Sequence, residues 1–265
     1  MTSLPVEPPG HDLLAGKVAL VTAAAGTGIG SATARRLLAE GATVVVSDAH
    51  ERRLKETAAE LAGTPRADGT ASGEPLAVAC DVTDEDQVRA LFAATTATHG
   101  RIDVVVNNAG LGGTAEIVDM TDEQWARVID VTLTGTLRCT RAALRVLNPQ
   151  GWGVIVNNAS VLGWRAQAGQ AHYAAAKAGV MALTRSAAVE AAPHGVRVNA
   201  VAPSLAMHPF LAKVTSDELL EELAGREAFG RPAEPWEVAT VIAFLASDYS
   251  TYMTGEVVSV SSQHP

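Results

Sequence analysis

Aromatic residues are scarce in this 265-residue chain, at 4% of the total, and only two cysteines are present. With so few rings, Ala and Val carry much of the 48% apolar content, which suits helices packed closely on a parallel sheet. Cys80 and Cys139 lie inside apparent structural segments, with neither a disulfide framework nor metal-ligand spacing around them. Both are expected to be reduced thiols, and no metal site is expected. Positive charge is also short: 20 Lys and Arg stand against 29 Asp and Glu, a net charge of −9. That balance argues against a nucleic-acid partner or an anionic membrane surface. No apolar run approaches the length of a membrane span, and the N-terminus lacks a charged-then-apolar signal pattern. A cytoplasmic protein is expected.

What the chain does have is a regular alternation. Lys17–Thr22, Thr43–Ser47, Leu76–Cys80, Ile102–Val106, Gly153–Asn157, Val196–Val201 and Gly255–Val260 are continuous apolar runs, with helical stretches between most of them. Strands apolar on both faces and separated by helices predict a doubly wound parallel sheet in one α/β domain, about residues 14–265. Residues 1–13 are predicted to be a flexible arm, and Gly63–Pro75 an exposed loop. Met120–Leu147 is predicted as mostly helical, with Trp125, Val128 and Ile129 at core spacing, and Thr83 as the N-cap of a helix starting near Asp84.

The first strand runs into Ala23-Ala24-Ala25-Gly26-Thr27-Gly28-Ile29-Gly30 and then into a helix. A glycine turn at a helix N-terminus can hold a phosphate, because free N–H groups and the helix dipole both favour an anion. Asp48 ends the second strand, eighteen positions beyond Gly30. An acidic residue there accepts hydrogen bonds from the ribose hydroxyls of NAD and repels the 2′-phosphate of NADP. Arg52 and Arg53 follow closely and can tolerate that phosphate, so NADP stays open. Further along, an Ala-rich run after Gly169 predicts a helix, on which Tyr173 and Lys177, four apart, share a face. Ser160 sits at the end of the preceding strand. A hydroxyl, a phenol and an ammonium at one strand end form a proton-transfer arrangement. His172 falls on a different face and is expected to be structural and rim-exposed.

Taken together, Gly28-Ile29-Gly30, Asp81-Val82, Asn107-Asn108-Ala109-Gly110, and Ser160 with Tyr173-x-x-x-Lys177 resemble the short-chain dehydrogenase/reductase family from about Leu14 onward. The resemblance implies a seven-stranded Rossmann-type sheet, commonly a homotetramer. Tyr173 would be the acid/base, Lys177 its partner and a ribose ligand, and Ser160 the hydroxyl facing the substrate. Gly26, Thr27, Gly28, Ile29 and Gly30 would cradle the cofactor. Asp81 and Val82 would flank the adenine, Asn108, Ala109 and Gly110 would line the adenosine and ribose, and Asp48 would select NAD. A neighbouring Lys⁺ and a positive nicotinamide ring would lower the phenol's ordinary value near 10.

Three departures from the family pattern stand out. The glycine turn is one residue longer, with Ala in place of its first Gly. Thr132 stands where the family has Asn as a fourth catalytic member, so it is carried as that member. Pro203-Ser204-Leu205-Ala206-Met207-His208 replaces the usual Pro-Gly and a Thr beside the nicotinamide. Pro203, Ser204, Ala206 and His208 are carried as cofactor-binding, although His208 is equally readable as a loop residue or as a contact for an acyl or CoA phosphate. The departures resemble an actinobacterial branch of the family that acts on ring alcohols of steroid breakdown, implying a small-molecule substrate carried as a hydrindane-type CoA thioester. A lid at about 204–229, with Leu205, Met207, Phe210 and Leu211, would suit such a substrate. Two other readings remain: a 3-oxoacyl-thioester reductase using NADPH, and a dinucleotide-binding protein without turnover.

Overall fold

A computed structural model of the chain describes residues 5–207 and 217–262. Its strands are β1 (Val18–Val21), β2 (Thr43–Asp48), β3 (Leu76–Ala79), β4 (Val104–Asn107), β5 (Gly153–Asn158), β6 (Val196–Pro203) and β7 (Val257–Val260). They form one seven-stranded sheet in the order β3-β2-β1-β4-β5-β6-β7, and every pairing is parallel. The order reverses between β1 and β4, which opens a crevice beyond the carboxyl ends of those strands.

Helices α1 (Ile29–Ala39), α2 (Glu51–Leu61), α3 (Glu85–His99), α4 (Asp122–Ile129), α5 (Gly135–Gln150), α6 (Ala171–Ala191), α7 (Asp217–Gly225) and α8 (Pro235–Ala246) follow in chain order. Strand residues alternate between two cores. Ala19, Val21, Val44, Val46, Val104, Val106, Val154 and Val156 pack with Leu37 and Leu38 of α1 and Val238 and Ile242 of α8. Leu20, Val45, Val105 and Ile155 pack on the other face with Leu91, Cys139, Leu147 and Ala188. Burial on both faces is why these strands lack polar alternation, and each large side chain so buried contributes about 2 kcal/mol. The fold is the doubly wound, Rossmann-type parallel sheet that the sequence predicts.

Several local details differ from expectation. The N-cap of α3 is Asp84, whose side chain accepts from the Asp86 and Gln87 amides, while the Thr83 hydroxyl donates to Asp81 Oδ1. Met120–Leu147 is mostly helical as expected, but a single wide π-turn at Asp130–Thr134 separates α4 from α5. Trp125 is exposed on α4, not in the core, whereas Val128 is buried. Residues 8–13 of the arm contact the end of α1. The His11 and Leu13 amides donate to Glu40 Oε2 at 2.7 and 3.2 Å, and Arg36 donates to the Pro8 carbonyl at 2.6 Å. Arg36 and Glu40 form a buried ion pair behind them.

Candidate active site

The turn after β1 is built for close approach. Ala23 takes a left-handed backbone with φ +49°, and Gly26 follows with φ +90°. At Gly26 and Gly28 the space a side chain would fill is open, whereas a Cβ at Gly30 would lie 2.2 Å from the Ala23 carbonyl oxygen. Gly28 and Gly30 therefore act differently. The first leaves room beside the N-terminus of α1, and the second lets that helix close onto the strand. Gly28 caps α1 with no side-chain hydrogen bond, so the first-turn N–H groups remain open to an anion.

Asp48 sits beside this turn at the end of β2. Its Oδ2 accepts from the Ala25 amide at 3.2 Å and its Oδ1 from the His50 amide at 2.9 Å. Burial raises its pKa above the ordinary carboxylate value, opposed by the Ala25 hydrogen bond and the charge of Arg53. The Gly26 amide donates to Thr57 Oγ1 of α2 at 2.9 Å, a support that sequence reasoning missed because Thr57 sits in an ordinary helical run. At the end of β3, Asp81 is occupied by Thr83, and the Val82 side chain is buried against Gly135 of α5.

Two asparagine pairs cross the central strand ends. Asn107 and Asn157 lie in the sheet, where Asn107 Nδ2 donates to Asn157 Oδ1 at 2.9 Å and Asn157 Nδ2 to Thr184 Oγ1 at 2.9 Å. Above them, Asn158 Nδ2 donates to Asn108 Oδ1 at 2.8 Å, and Asn108 Nδ2 to the Ala23 carbonyl at 3.0 Å. The Asn108 and Ala109 amides both reach Thr22 Oγ1, which fixes the start of the loop carrying Gly110. A Cβ on Gly110 would lie 3.3 Å from Lys177 Nζ.

Ser160, Tyr173 and Lys177 come together as predicted. Ser160 is buried at the mouth of β5, where its Oγ accepts from the Leu162 amide at 3.2 Å beside the Tyr173 phenol. Lys177 Nζ is 5.5 Å from the centre of the Tyr173 ring and donates to the Asn158 carbonyl at 2.6 Å. In the protein alone, burial pushes the Tyr173 phenol up to about 12, with the Ser160 hydrogen bond pulling the other way. The lowering expected from sequence involves the positive nicotinamide ring as well as Lys177; without that ring, desolvation of the phenol dominates. Burial likewise pushes the Lys177 ammonium down to about 8.

Thr132 is fully buried in the π-turn, with its hydroxyl on the backbone of Leu111. It holds the loop after Gly110 and places a methyl, not a hydroxyl, toward Gly110. His172 is buried, not on the rim: Nδ1 accepts from the Tyr173 amide at 2.9 Å, and Nε2 would lie 3.2 Å from a Cβ on Gly113. Pro203 pairs with Val260, the Ser204 amide donates to the Val260 carbonyl at 3.2 Å, and Ala206 bridges to Ala233. His208, Phe210 and Leu211 lie outside the described residues. Among the described residues no His, Cys, Asp and Glu group could hold a metal, and no helix is long and apolar enough to cross a membrane.

An open glycine cradle on a helix N-terminus, an acidic residue at the next strand end, and a Ser–Tyr–Lys cluster across the switch point define a dinucleotide-dependent oxidoreductase of Rossmann type. A family model described as "Enoyl-(Acyl carrier protein) reductase" matches residues 23–262. A "(5R,7aS)-5-hydroxy-7a-methyl-1-oxo-2,3,5,6,7,7a-hexahydro-1H-indene-carboxyl-CoA reductase" of Mycobacterium tuberculosis is 66% identical over 263 residues, covering 98% of each chain. A cis-4-hydroxycyclohexanecarboxylate dehydrogenase of Sinomonas cyclohexanicum is 45% identical, covering 94% of this chain and 96% of its own. The crystal structure of a short-chain dehydrogenase from Mycobacterium smegmatis superposes with a TM-score of 0.85 at 61% identity, covering 99% of both chains. The chain belongs to the short-chain dehydrogenase/reductase family, whose members use a nicotinamide dinucleotide. The open space at Gly26 and Gly28 and the uncapped first turn of α1 fit the pyrophosphate of that group.

Proposed function

We propose that this enzyme is an NAD-dependent dehydrogenase that oxidises a secondary alcohol on a hydrindane-type carboxyl-CoA thioester from steroid breakdown. The observation that carries the chemistry is the placement of Tyr173 between the Ser160 hydroxyl and the Lys177 ammonium at one strand end. The substrate class is supported by 66% identity to the mycobacterial enzyme named for such a thioester, and by a second relative named for a hydroxylated ring acid. NAD is supported by Asp48, held by Ala25 and His50 beside the glycine turn, where a carboxylate would accept from ribose hydroxyls and repel a 2′-phosphate.

The oxidised nicotinamide, when bound, supplies the hydride acceptor and a positive ring near the phenol. Ser160 Oγ orients the substrate hydroxyl, and Tyr173 Oη takes its proton. Burial keeps Tyr173 neutral in the protein alone, so the phenolate depends on positive charge close by, of which Lys177 is the fixed part. Gly26, Thr27, Gly28, Ile29 and Gly30 would hold the pyrophosphate, Asp81 and Val82 the adenine, and Asn108, Ala109 and Gly110 the adenosine and ribose. Pro203, Ser204 and Ala206 would border the nicotinamide. Half-buried Leu205 and Met207 offer the lid's apolar surface. Exposed Trp125 and Leu137 on α4 and α5, and Phe244, Tyr249 and Tyr252 near α8, supply apolar area for a homotetramer in the cytoplasm.

The test presents the purified enzyme with the hydroxy-hydrindane carboxyl-CoA thioester and NAD⁺ or NADP⁺, and with a 3-oxoacyl-CoA and NADPH. The reading expects the highest kcat/KM with the ring alcohol and NAD⁺. A preference for the 3-oxoacyl-CoA and NADPH would replace it with the reductase alternative.

A further inference from the structure

The side-chain amides above β1, β4 and β5 have only one consistent orientation. The Ala23 carbonyl can only accept, so Asn108 must turn its Nδ2 toward it, which it does at 3.0 Å. Asn108 Oδ1 then faces Asn158 and needs a donor, and Asn158 Nδ2 supplies it at 2.8 Å. What remains is Asn158 Oδ1, which is buried and has no hydrogen-bond partner among the described residues. A buried amide oxygen left alone is costly, and a native chain retains one where a ligand or water completes it. Asn158 is also the residue whose carbonyl receives the Lys177 ammonium at 2.6 Å.

From this arrangement, and resting on the dinucleotide-dependent reading above, we infer that Asn158 is a positioning residue coupling the proton-handling helix to the cofactor turn. Its carbonyl fixes Lys177 and its Nδ2 locks Asn108 onto the Ala23 turn. Three adjacent strand ends, β5, β4 and β1, are thus tied by one amide chain. Thr132 does not partner Asn158 Oδ1, because its hydroxyl is engaged on both backbone groups of Leu111.

The test measures NADH binding without substrate, by energy transfer from tryptophan, for wild type, Asn158→Leu and Asn158→Ser, together with thermal midpoints and the kcat and KM for NAD⁺. Leucine keeps the size and the backbone carbonyl but removes both amide atoms. It is expected to weaken NADH binding about tenfold and to raise the KM for NAD⁺, as loss of the lock that holds Asn108 on the Ala23 turn would. Serine, short but able to donate and accept, is expected between the two. If Asn158→Leu fails to fold, Asn158→Ser decides alone, with weakening of at least about threefold expected on the same basis. NADH affinity within twofold of wild type in the folded variants, with only the midpoint lowered, would make Asn158 merely structural and overturn the inference. Wild type that binds neither NADH nor NADPH would remove the reading beneath it, which is a separate outcome.

Discussion

The Thr132 hydroxyl accepts from the Leu111 amide at 2.9 Å and donates to the Leu111 carbonyl at 3.1 Å. One side chain in a π-turn therefore holds the loop that follows Gly110, the wall facing Lys177. Thr132→Val keeps the shape and leaves both Leu111 groups without that partner. It should cost about 2 kcal/mol in a urea unfolding series. Thr132→Ser should recover most of that loss. An unchanged midpoint for the valine variant would show that the loop is held elsewhere.

Lys177 is 3% exposed, and burial pushes its ammonium from 10.5 down to about 8. The difference corresponds to about 3 kcal/mol of destabilisation while the group is charged in both states. Below about pH 8 that penalty is complete. Between pH 8 and 10.5 the folded protein has lost the proton and the unfolded chain keeps it, so stability rises with pH through this window. Lys177→Met removes the dependence. The wild-type stability minus that of the variant should therefore shift in favour of wild type between pH 8 and 10.5. Tyr173, raised by burial, acts only above pH 10 and is present in both proteins, so it cancels. A difference flat with pH would mean that Lys177 is not desolvated.

Asp48 tethers the Ala25 amide beside the glycine turn, and in the proposed function its charge selects NAD. Asp48→Ala should lower kcat/KM for NAD⁺ and shrink the ratio of NAD⁺ to NADP⁺ efficiency by about tenfold or more, as expected when a repulsive charge facing a phosphate is removed. Initial rates with each cofactor measure this. An unchanged ratio would move the selection of NAD away from Asp48.

The order of elements was legible because each central strand is buried on both faces. Val44, Val45 and Val46 go to opposite cores, which is why polar residues are missing from the run. Ser160, Tyr173 and Lys177 were legible because helix spacing and strand-end placement survive any local adjustment. The π-turn at Asp130–Thr134 was not, since one extra residue in a helical turn leaves no mark on apolar spacing. Nor was the burial of His172, whose ring turns back to receive the Tyr173 amide at the open end of α6. The doublet Asn157-Asn158 was visible in the chain. Its division of labour, one amide in the sheet and one above it, needed the pairing of β4 with β5.

In the proposed function Tyr173 transfers the proton in a dinucleotide-dependent alcohol oxidation. Tyr173→Phe removes one oxygen from a half-buried ring and leaves the glycine turn and Asp48 untouched. NADH binding and turnover of the hydroxy-hydrindane carboxyl-CoA thioester with NAD⁺ should be measured on the same preparations of wild type and variant. NADH affinity is expected within about threefold of wild type, as for a group spent on chemistry, with kcat lowered about a thousandfold. Turnover by the phenylalanine variant at a rate close to wild type would contradict it.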